Sequence, residues 1–129
     1  MAESTWLFVY PEGLGQLVTW IGDRYGRQNE IYVFENGVSV PGENSMNLTD
    51  ALQDDYRVNY YQTYIQAMLD AQEKHGLNIK GYFAWSYMDN FEWADGYSVR
   101  FGMVYVDYND NQRRYKKKSI LWYSDFIAS

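Results

Sequence analysis

Two short, uninterrupted apolar runs constrain the fold of this chain more than any other feature. Residues 31–34 (IYVF) and 81–85 (GYFAW) are typical of parallel strands that are covered on both faces. Between them, apolar side chains recur with helical spacing and predict a long helix that ends near Gly76. Its expected inner face consists of Val58, Tyr61, Ile65, Met68 and Leu69. Strand, helix and strand form a βαβ unit, for which a right-handed crossover is expected.

The flanking segments predict further elements. Pro11 favours the first turn of an amphipathic helix that stops at Gly26. Residues 38–55 are polar and indicate a loop with room for one short helix. Residues 103–108 and 112–115, separated by the turn residues Asn-Asp-Asn, predict a small β-hairpin. Ser119 is expected to cap a final helix. The chain is therefore predicted to be one α/β unit that ends in a helix.

Composition excludes several classes of protein. The 129 residues are 47% hydrophobic and 19% aromatic, which is incompatible with disorder and sufficient for one domain. The net charge of −6 argues against a nucleic-acid partner. The basic residues between positions 113 and 118 are interpreted as a solvated turn before the last helix. With no Cys and a single His, neither a metal site nor a cofactor is expected.

A membrane location is not expected either. No apolar stretch approaches the roughly 20 residues that span a bilayer, and the N-terminus lacks a signal-peptide pattern. The sequence therefore predicts a soluble chain and leaves its compartment open.

Acidic and aromatic side chains follow both predicted strands. Glu35 and Glu92 come just after the strand ends, where α/β barrels and open α/β sheets place their ligand sites. Aromatic and amide side chains surround the second position: Trp85, Asp89, Asn90, Phe91, Trp93 and Phe101. Aromatic faces beside carboxylates suit a sugar or another polyol. From the spacing alone, helix capping or pairing with an Arg is the more common reason for such carboxylates. Trp6, Trp20 and Trp122 are interpreted as core or interface packing residues.

Three motifs resemble family 1 glycoside hydrolases of the β-glucosidase type. Residues 31–37 (IYVFENG) are similar to the nucleophile motif of that family. Residues 81–93 (GYFAWSYMDNFEW) are similar to its eighth-strand signature. Residues 97–108 (YSVRFGMVYVDY), followed by Arg114-Tyr115, continue the likeness to the usual C-terminus. A lone Glu-Asn-Gly is a weak signal, whereas this ordered set is specific.

The resemblance implies a partial (β/α)8 TIM barrel, with residues 1–129 as a single incomplete domain that forms the last third or less. Helix 11–25 resembles the sixth helix of the barrel, and strands 31–34 and 81–85 resemble the seventh and eighth strands. The long helix between those strands resembles the seventh helix, residues 119–127 resemble the eighth, and the hairpin follows the eighth strand. Two of the eight strands are therefore expected here.

The resemblance also implies roles for individual residues. It makes Glu35 the nucleophile, Trp85 a stacking platform, Glu92 and Trp93 ligands of the sugar hydroxyls, and Phe101 an apolar wall. The family's acid/base Glu lies in an Asn-Glu-Pro motif, and the Asn-Glu pair in this chain is followed by Ile31 instead. The acid/base is therefore expected to be absent. Phe34 replaces the usual Thr, and Lys116 replaces the usual Pro.

Three functions remain open at this stage. The chain is a fragment of a retaining β-glucosidase that is inactive alone, a non-catalytic sugar-binding protein, or an assembly module. The expected ligand is a β-glucoside or a similar sugar. Two strands with free edges are expected to require either the missing barrel half or self-association.

Overall fold

The computed structural model describes residues 1–129 and contains four helices and four strands. The helices are α1 (Pro11–Tyr25), the single turn α2 (Leu48–Ala51), α3 (Asp55–His75) and α4 (Lys118–Ala128). The strands are β1 (Glu30–Asn36), β2 (Asn78–Ala84), β3 (Val104–Asp107) and β4 (Arg113–Lys116). Two 3₁₀ turns, Glu43–Ser45 and Trp93–Asp95, interrupt the loops that follow β1 and β2. None of the helices is long and apolar enough to cross a membrane.

The predicted βαβ unit is confirmed. β1 and β2 pair in parallel, with Glu30 opposite Asn78 and Asn36 opposite Ala84, and α3 connects them. α1 packs against α3, where the backbone of Gly15 lies close to the Ala67 carbonyl. Because parallel strands end at the same edge of a sheet, this pairing brings the segments after both strands together.

Two apolar clusters hold the helices against the sheet. The larger lies between α3, α4 and the segments after the strands and contains Ala2, Val38, Tyr60, Tyr61, Tyr64, Ile65 and Met103. The smaller joins α1, β1 and α3 through Val18, Ile31, Ala71 and Leu77. The predicted inner face of α3 is confirmed except at Leu69, which is 39% exposed. Its apolar side chain fits the helical period, but no element covers that position.

One side of the sheet is uncovered. Tyr32, Phe34 and Phe83 form an exposed aromatic ladder, with ring centroids 5.7 Å and 5.6 Å apart. Phe34 is 70% exposed and stacks within this ladder. β1 and β2 form a two-stranded sheet, so each also has an unpaired edge. A sheet of this size is marginal in water without further strands or a covering layer.

The predicted hairpin is confirmed, since β3 and β4 pair antiparallel. The start of α4 differs from the prediction, because Lys117 is the capping residue and Ser119 lies inside the helix. The Ser119 hydroxyl donates to Asp54 Oδ2 at 2.6 Å, and its backbone N–H donates to Asp54 Oδ1 at 2.8 Å. The Ser was correctly expected near a helix start, but its partner is a distant carboxylate.

A cluster of buried charges joins the loops to α3 and α4. It contains the carboxylates of Glu43, Asp54 and Asp89 and the cations of Arg57, Arg100 and Lys117, each no more than 7% exposed. Three negative and three positive side chains balance one another, as buried charges require. The interpretation of Lys117 as part of a solvated turn is wrong, because its side chain is fully buried. A run of like charges does not reveal which member meets carboxylates from elsewhere in the chain.

Arg57 lies at the centre of this cluster. Its guanidinium donates to Asp54 at 2.5 Å, to Glu43 at 2.7 Å and to the Arg100 carbonyl at 2.9 Å. A further hydrogen bond to the Val38 carbonyl at 3.2 Å reaches the segment just after β1. One side chain on α3 therefore holds both of the long loops.

Arg57→Met is expected to lower the free energy of unfolding by about 3–5 kcal/mol, because it leaves the buried Asp54 without its cation and removes one of the two cations that pair with Glu43. Urea denaturation followed by circular dichroism measures the change. Arg27→Met is the matched control, since Arg27 pairs with Asp23 at an exposed site and the loss should stay below about 1 kcal/mol. Equal effects of the two substitutions would contradict the structural role of the cluster.

Candidate active site

The ends of β1 and β2 meet in one place. The Trp85 backbone N–H, directly after β2, donates to the Asn36 carbonyl at 2.8 Å. Glu35 is the next-to-last residue of β1, so the strand extends one residue beyond the predicted nucleophile. Its side chain is exposed. The pairing thus places Glu35, near the end of β1, and Trp85, directly after β2, at the carboxyl end of the sheet.

A very close backbone approach follows. A Cβ at Gly37 would lie 1.5 Å from the Trp85 carbonyl oxygen, so only glycine fits there. The same carbonyl accepts a hydrogen bond from the Tyr61 hydroxyl of α3 at 3.0 Å. The Gly of the Glu-Asn-Gly motif is therefore required by packing between the two segments.

Asn36, the residue after Glu35, is held on both sides of its amide. Its Nδ2 donates to the Tyr60 hydroxyl at 3.1 Å, and its Oδ1 accepts from the Tyr82 hydroxyl at 2.6 Å. Burial raises the pKa of both phenols, so both stay protonated at neutral pH. These contacts fix the backbone that carries Glu35 from the helical side of the sheet.

Glu92 is directed toward Trp85. The indole N–H of Trp85 donates to Glu92 Oε1 at 3.1 Å, and Glu92 is 9% exposed. Burial raises the pKa of the Glu92 carboxyl, the Trp85 hydrogen bond opposes that rise, and the carboxylates of Asp95 and Glu35 add to it.

The remaining residues of the predicted acidic and aromatic cluster hold the loop and do not line the cavity that Glu35, Trp85 and Glu92 border. Asp89 is buried and pairs with Arg100 at 2.5 Å. Asn90 donates to the Ser86 hydroxyl and the Met88 carbonyl within its own loop. Phe91 is 61% exposed and packs edge-on against Tyr97. The alternative of a carboxylate paired with an Arg, which the sequence left open, holds for Asp89.

A cavity of about 350 Å³ lies at the carboxyl ends of β1 and β2. Its lining comprises Trp6, Leu7, Glu35, Asn36, Gly37, Tyr60, Trp85, Glu92, Trp93 and Phe101. The volume falls within the range of small-molecule sites. All five residues that were expected to contact a sugar therefore border one space. Phe101 forms a buried part of the wall, whereas Trp93 is 86% exposed at the rim.

Trp6 and Tyr60 were missed as cavity residues. Trp6 was interpreted as a core or interface packing residue; it is 65% exposed, so it lies outside the core, and it borders the cavity. Tyr60 lies on α3 beside the predicted inner face, where an aromatic residue is ordinary. No local pattern distinguishes either of them, because their role depends on where the N-terminal segment and α3 lie relative to β1.

Known proteins match this chain along its whole length. The model of a family described as Glycosyl hydrolase family 1 matches residues 1–129. Beta-glucosidase 10 of Oryza sativa subsp. japonica is 47% identical over 126 residues, which make up 98% of this chain and 23% of that protein. The chain thus spans about a quarter of the length of this relative.

Solved structures of β-glucosidases also match the fold of this chain. A GH1 β-glucosidase from the fungus Humicola insolens, in complex with glucose, has a TM-score of 0.95 at 46% identity, over 99% of this chain and 27% of that one. A mutant of the rice Os3BGlu6 β-glucosidase, in a covalent complex with Glc, has a TM-score of 0.90 at 39% identity, over 95% of this chain and 25% of that one. The structural neighbours are TIM barrels, of which this chain matches a part. The chain belongs to glycosyl hydrolase family 1.

Proposed function

We propose that residues 1–129 form one part of the active site of a retaining β-glucosidase, with Glu35 as the nucleophile. The observation that carries this proposal is the position of Glu35 on the same cavity as Trp85 and Glu92. A carboxylate at the end of a barrel strand, exposed and without an ion-pair partner, is available to attack an anomeric carbon. The covalent Glc complex of the rice relative supports a glycosyl-enzyme intermediate.

The other cavity residues suit the binding of one sugar ring. The indole faces of Trp85 and Trp93 offer platforms for the apolar face of the ring, and Phe101 closes one wall. Glu92 accepts paired hydrogen bonds from neighbouring hydroxyls, with Trp85 fixing one of its oxygens. Trp6 supplies a further aromatic wall on the open side.

Turnover needs a second carboxyl. Retaining glycosidases place two carboxyls about 5–5.5 Å apart, one as nucleophile and one as acid and base. We assign Glu92 to hydroxyl binding, and residues 1–129 contain no Asn-Glu-Pro motif. Since general acid catalysis contributes roughly 10²–10⁴-fold, residues 1–129 alone should have negligible activity on natural β-glucosides.

An activated aryl β-glucoside tests the nucleophile directly, because its leaving group departs without protonation. Residues 1–129 are expected to release a burst of phenol, up to one per chain, followed by very slow turnover. Glu35→Gln should abolish the burst, and mass spectrometry should show a glycosyl adduct only on the chain that retains Glu35.

Glu30→Gln is the matched control, since Glu30 is an exposed carboxylate of the same strand that only accepts from the Tyr32 hydroxyl. A burst that survives Glu35→Gln would contradict the assignment. Glucose binding, followed by Trp fluorescence, without any burst from the unaltered chain would favour the non-catalytic sugar-binding function.

Sugar affinity should depend on the protonation of Glu92. Because the pKa of Glu92 is raised, its carboxylate is lost on acidification at a higher pH than for an ordinary Glu. Glucose affinity is therefore expected to fall as the pH drops, with a midpoint above the ordinary value near 4.5. Asp95→Asn should move the midpoint to lower pH, and Glu92→Gln should remove this transition. Titrations at a series of pH values, followed by Trp fluorescence, measure it.

The uncovered surfaces point to a structural partner. We propose that α1, β1, α3, β2 and α4 correspond to the sixth helix, seventh strand, seventh helix, eighth strand and eighth helix of the barrel. The free edges of β1 and β2 and the exposed ladder of Tyr32, Phe34 and Phe83 would then be covered by other barrel strands or by copies of this chain.

Residues 1–129 are accordingly expected to associate in dilute solution or to bind a separately expressed segment that supplies the other six strands. Analytical ultracentrifugation should show species heavier than 15.3 kDa. A well-folded, monodisperse monomer that does not bind the complementary segment would contradict this expectation.

A further inference from the structure

The start of α4 lies between the two loops that carry the proposed site. We name residues 37–54, after β1, the nucleophile loop, and residues 85–103, after β2, the glycone loop. The Lys118 backbone N–H donates to the Leu52 carbonyl of the nucleophile loop at 2.8 Å. The Lys117 backbone N–H donates to the Met103 carbonyl of the glycone loop at 3.1 Å. Two adjacent residues therefore touch both loops.

The Lys117 side chain makes the same connection through charge. Its ammonium group pairs with Glu43 of the nucleophile loop and, at 3.1 Å, with Asp89 of the glycone loop. The side chains of all three residues are at most 2% exposed. No direct hydrogen bond joins Glu43 to Asp89, so the cation stands between two carboxylates of different loops.

Asp89 transmits this contact through the glycone loop. Its Oδ1 accepts from the Gly102 N–H at 3.0 Å, and its Oδ2 accepts from the Val106 N–H at 3.2 Å and from Arg100 at 2.5 Å. A Cβ at Gly102 would lie 2.1 Å from the Asp89 backbone nitrogen, which shows how closely these segments pack. The position of Asp89 thus sets the path of the loop that bears Glu92 and Trp93.

We propose that Lys117 is a positioning residue that couples the two loops and so keeps the sugar-binding Glu92 and Trp93 in register with Glu35. The inference rests on the proposed function for what the loops bind. Arg57 offers a second link, through Glu43 and the Arg100 carbonyl. Asn44 offers a third, since it accepts from Arg100 Nε and donates to the carbonyls of Tyr97 and Ser98. Neither Arg57 nor Asn44 contacts Asp89. Lys117 is therefore the direct charge bridge between Glu43 and Asp89.

Removing the Lys117 charge has a specific consequence. Glu43 keeps Arg57 and Asp89 keeps Arg100, but the buried cluster is left with three carboxylates and two cations. Glu43 and Asp89 then face each other without the cation between them, and their repulsion in a low-dielectric interior drives the loops apart. Loss of a neutral contact would act otherwise, since it leaves a cavity and no repulsion. Neutralising one of the two carboxylates as well should therefore restore the coupling.

Hydrogen–deuterium exchange of the full chain tests this coupling without any sugar. Lys117→Met is expected to raise exchange at least tenfold in both loops while the second half of α3 stays protected. The double variant Glu43→Gln with Lys117→Met should recover protection in the glycone loop, although the added change lies in the other loop. Lys118→Met is the control, since Lys118 pairs with Asp55 at an exposed site and should alter neither loop.

A double variant that exchanges faster than Lys117→Met would overturn the inference, as would unchanged exchange in Lys117→Met. If Lys117→Met does not fold, the double variant decides: recovery of folded protein supports the charge coupling, and failure of both overturns it.

Glucose affinity provides the functional readout and should fall about tenfold in Lys117→Met and recover in the double variant. If exchange rises in Lys117→Met while its glucose affinity stays unchanged, the positioning role is overturned. Absence of any glucose binding in the unaltered chain would instead count against the proposed function.

Discussion

The rest of the structure depends on the parallel contact between β1 and β2. It places Asn36 against Trp85 so closely that Gly37 has no room for a side chain. Glu35 lies one residue before the end of β1, and Trp85 directly follows β2. Both residues, and residues of the loops that follow, line one cavity. The hydrogen bonds of Asn36 to two buried tyrosines then brace the arrangement from the helical side. Backbone pairing thus brings the site residues together, and side-chain contacts then stabilise the arrangement.

Much of this organisation was predictable from the sequence, because it follows from local periodicity. The apolar runs identified β1 and β2, and the helical spacing identified α3 with only Leu69 misplaced. Glu35 and Glu92 were expected near one ligand site because carboxyl ends of parallel strands share an edge. The assignment of catalytic roles came from the family resemblance, which periodicity alone does not supply.

What the sequence did not reveal involves partners that are distant along the chain. Lys117 reads as one member of a basic run, yet its carboxylates come from positions 43 and 89. Ser119 reads as a cap, yet it binds Asp54, and Trp6 reads as packing, yet it borders the cavity. In each case the residue type indicated the kind of contact to expect, but the contacting residue could not be identified. No local pattern shows which loop will lie opposite a given residue.

The buried charge cluster also limits how this part of the fold can be exchanged between relatives. Its six members come from four separate stretches of the chain: the loop after β1, the start of α3, the loop after β2 and the start of α4. A chimera whose crossover falls between α3 and the loop after β2 takes Glu43, Asp54 and Arg57 from one parent and Asp89, Arg100 and Lys117 from the other. Such a chimera preserves the cluster only where both parents place the same charges in the same geometry. A graft of either loop is therefore best transferred together with the first turn of the last helix.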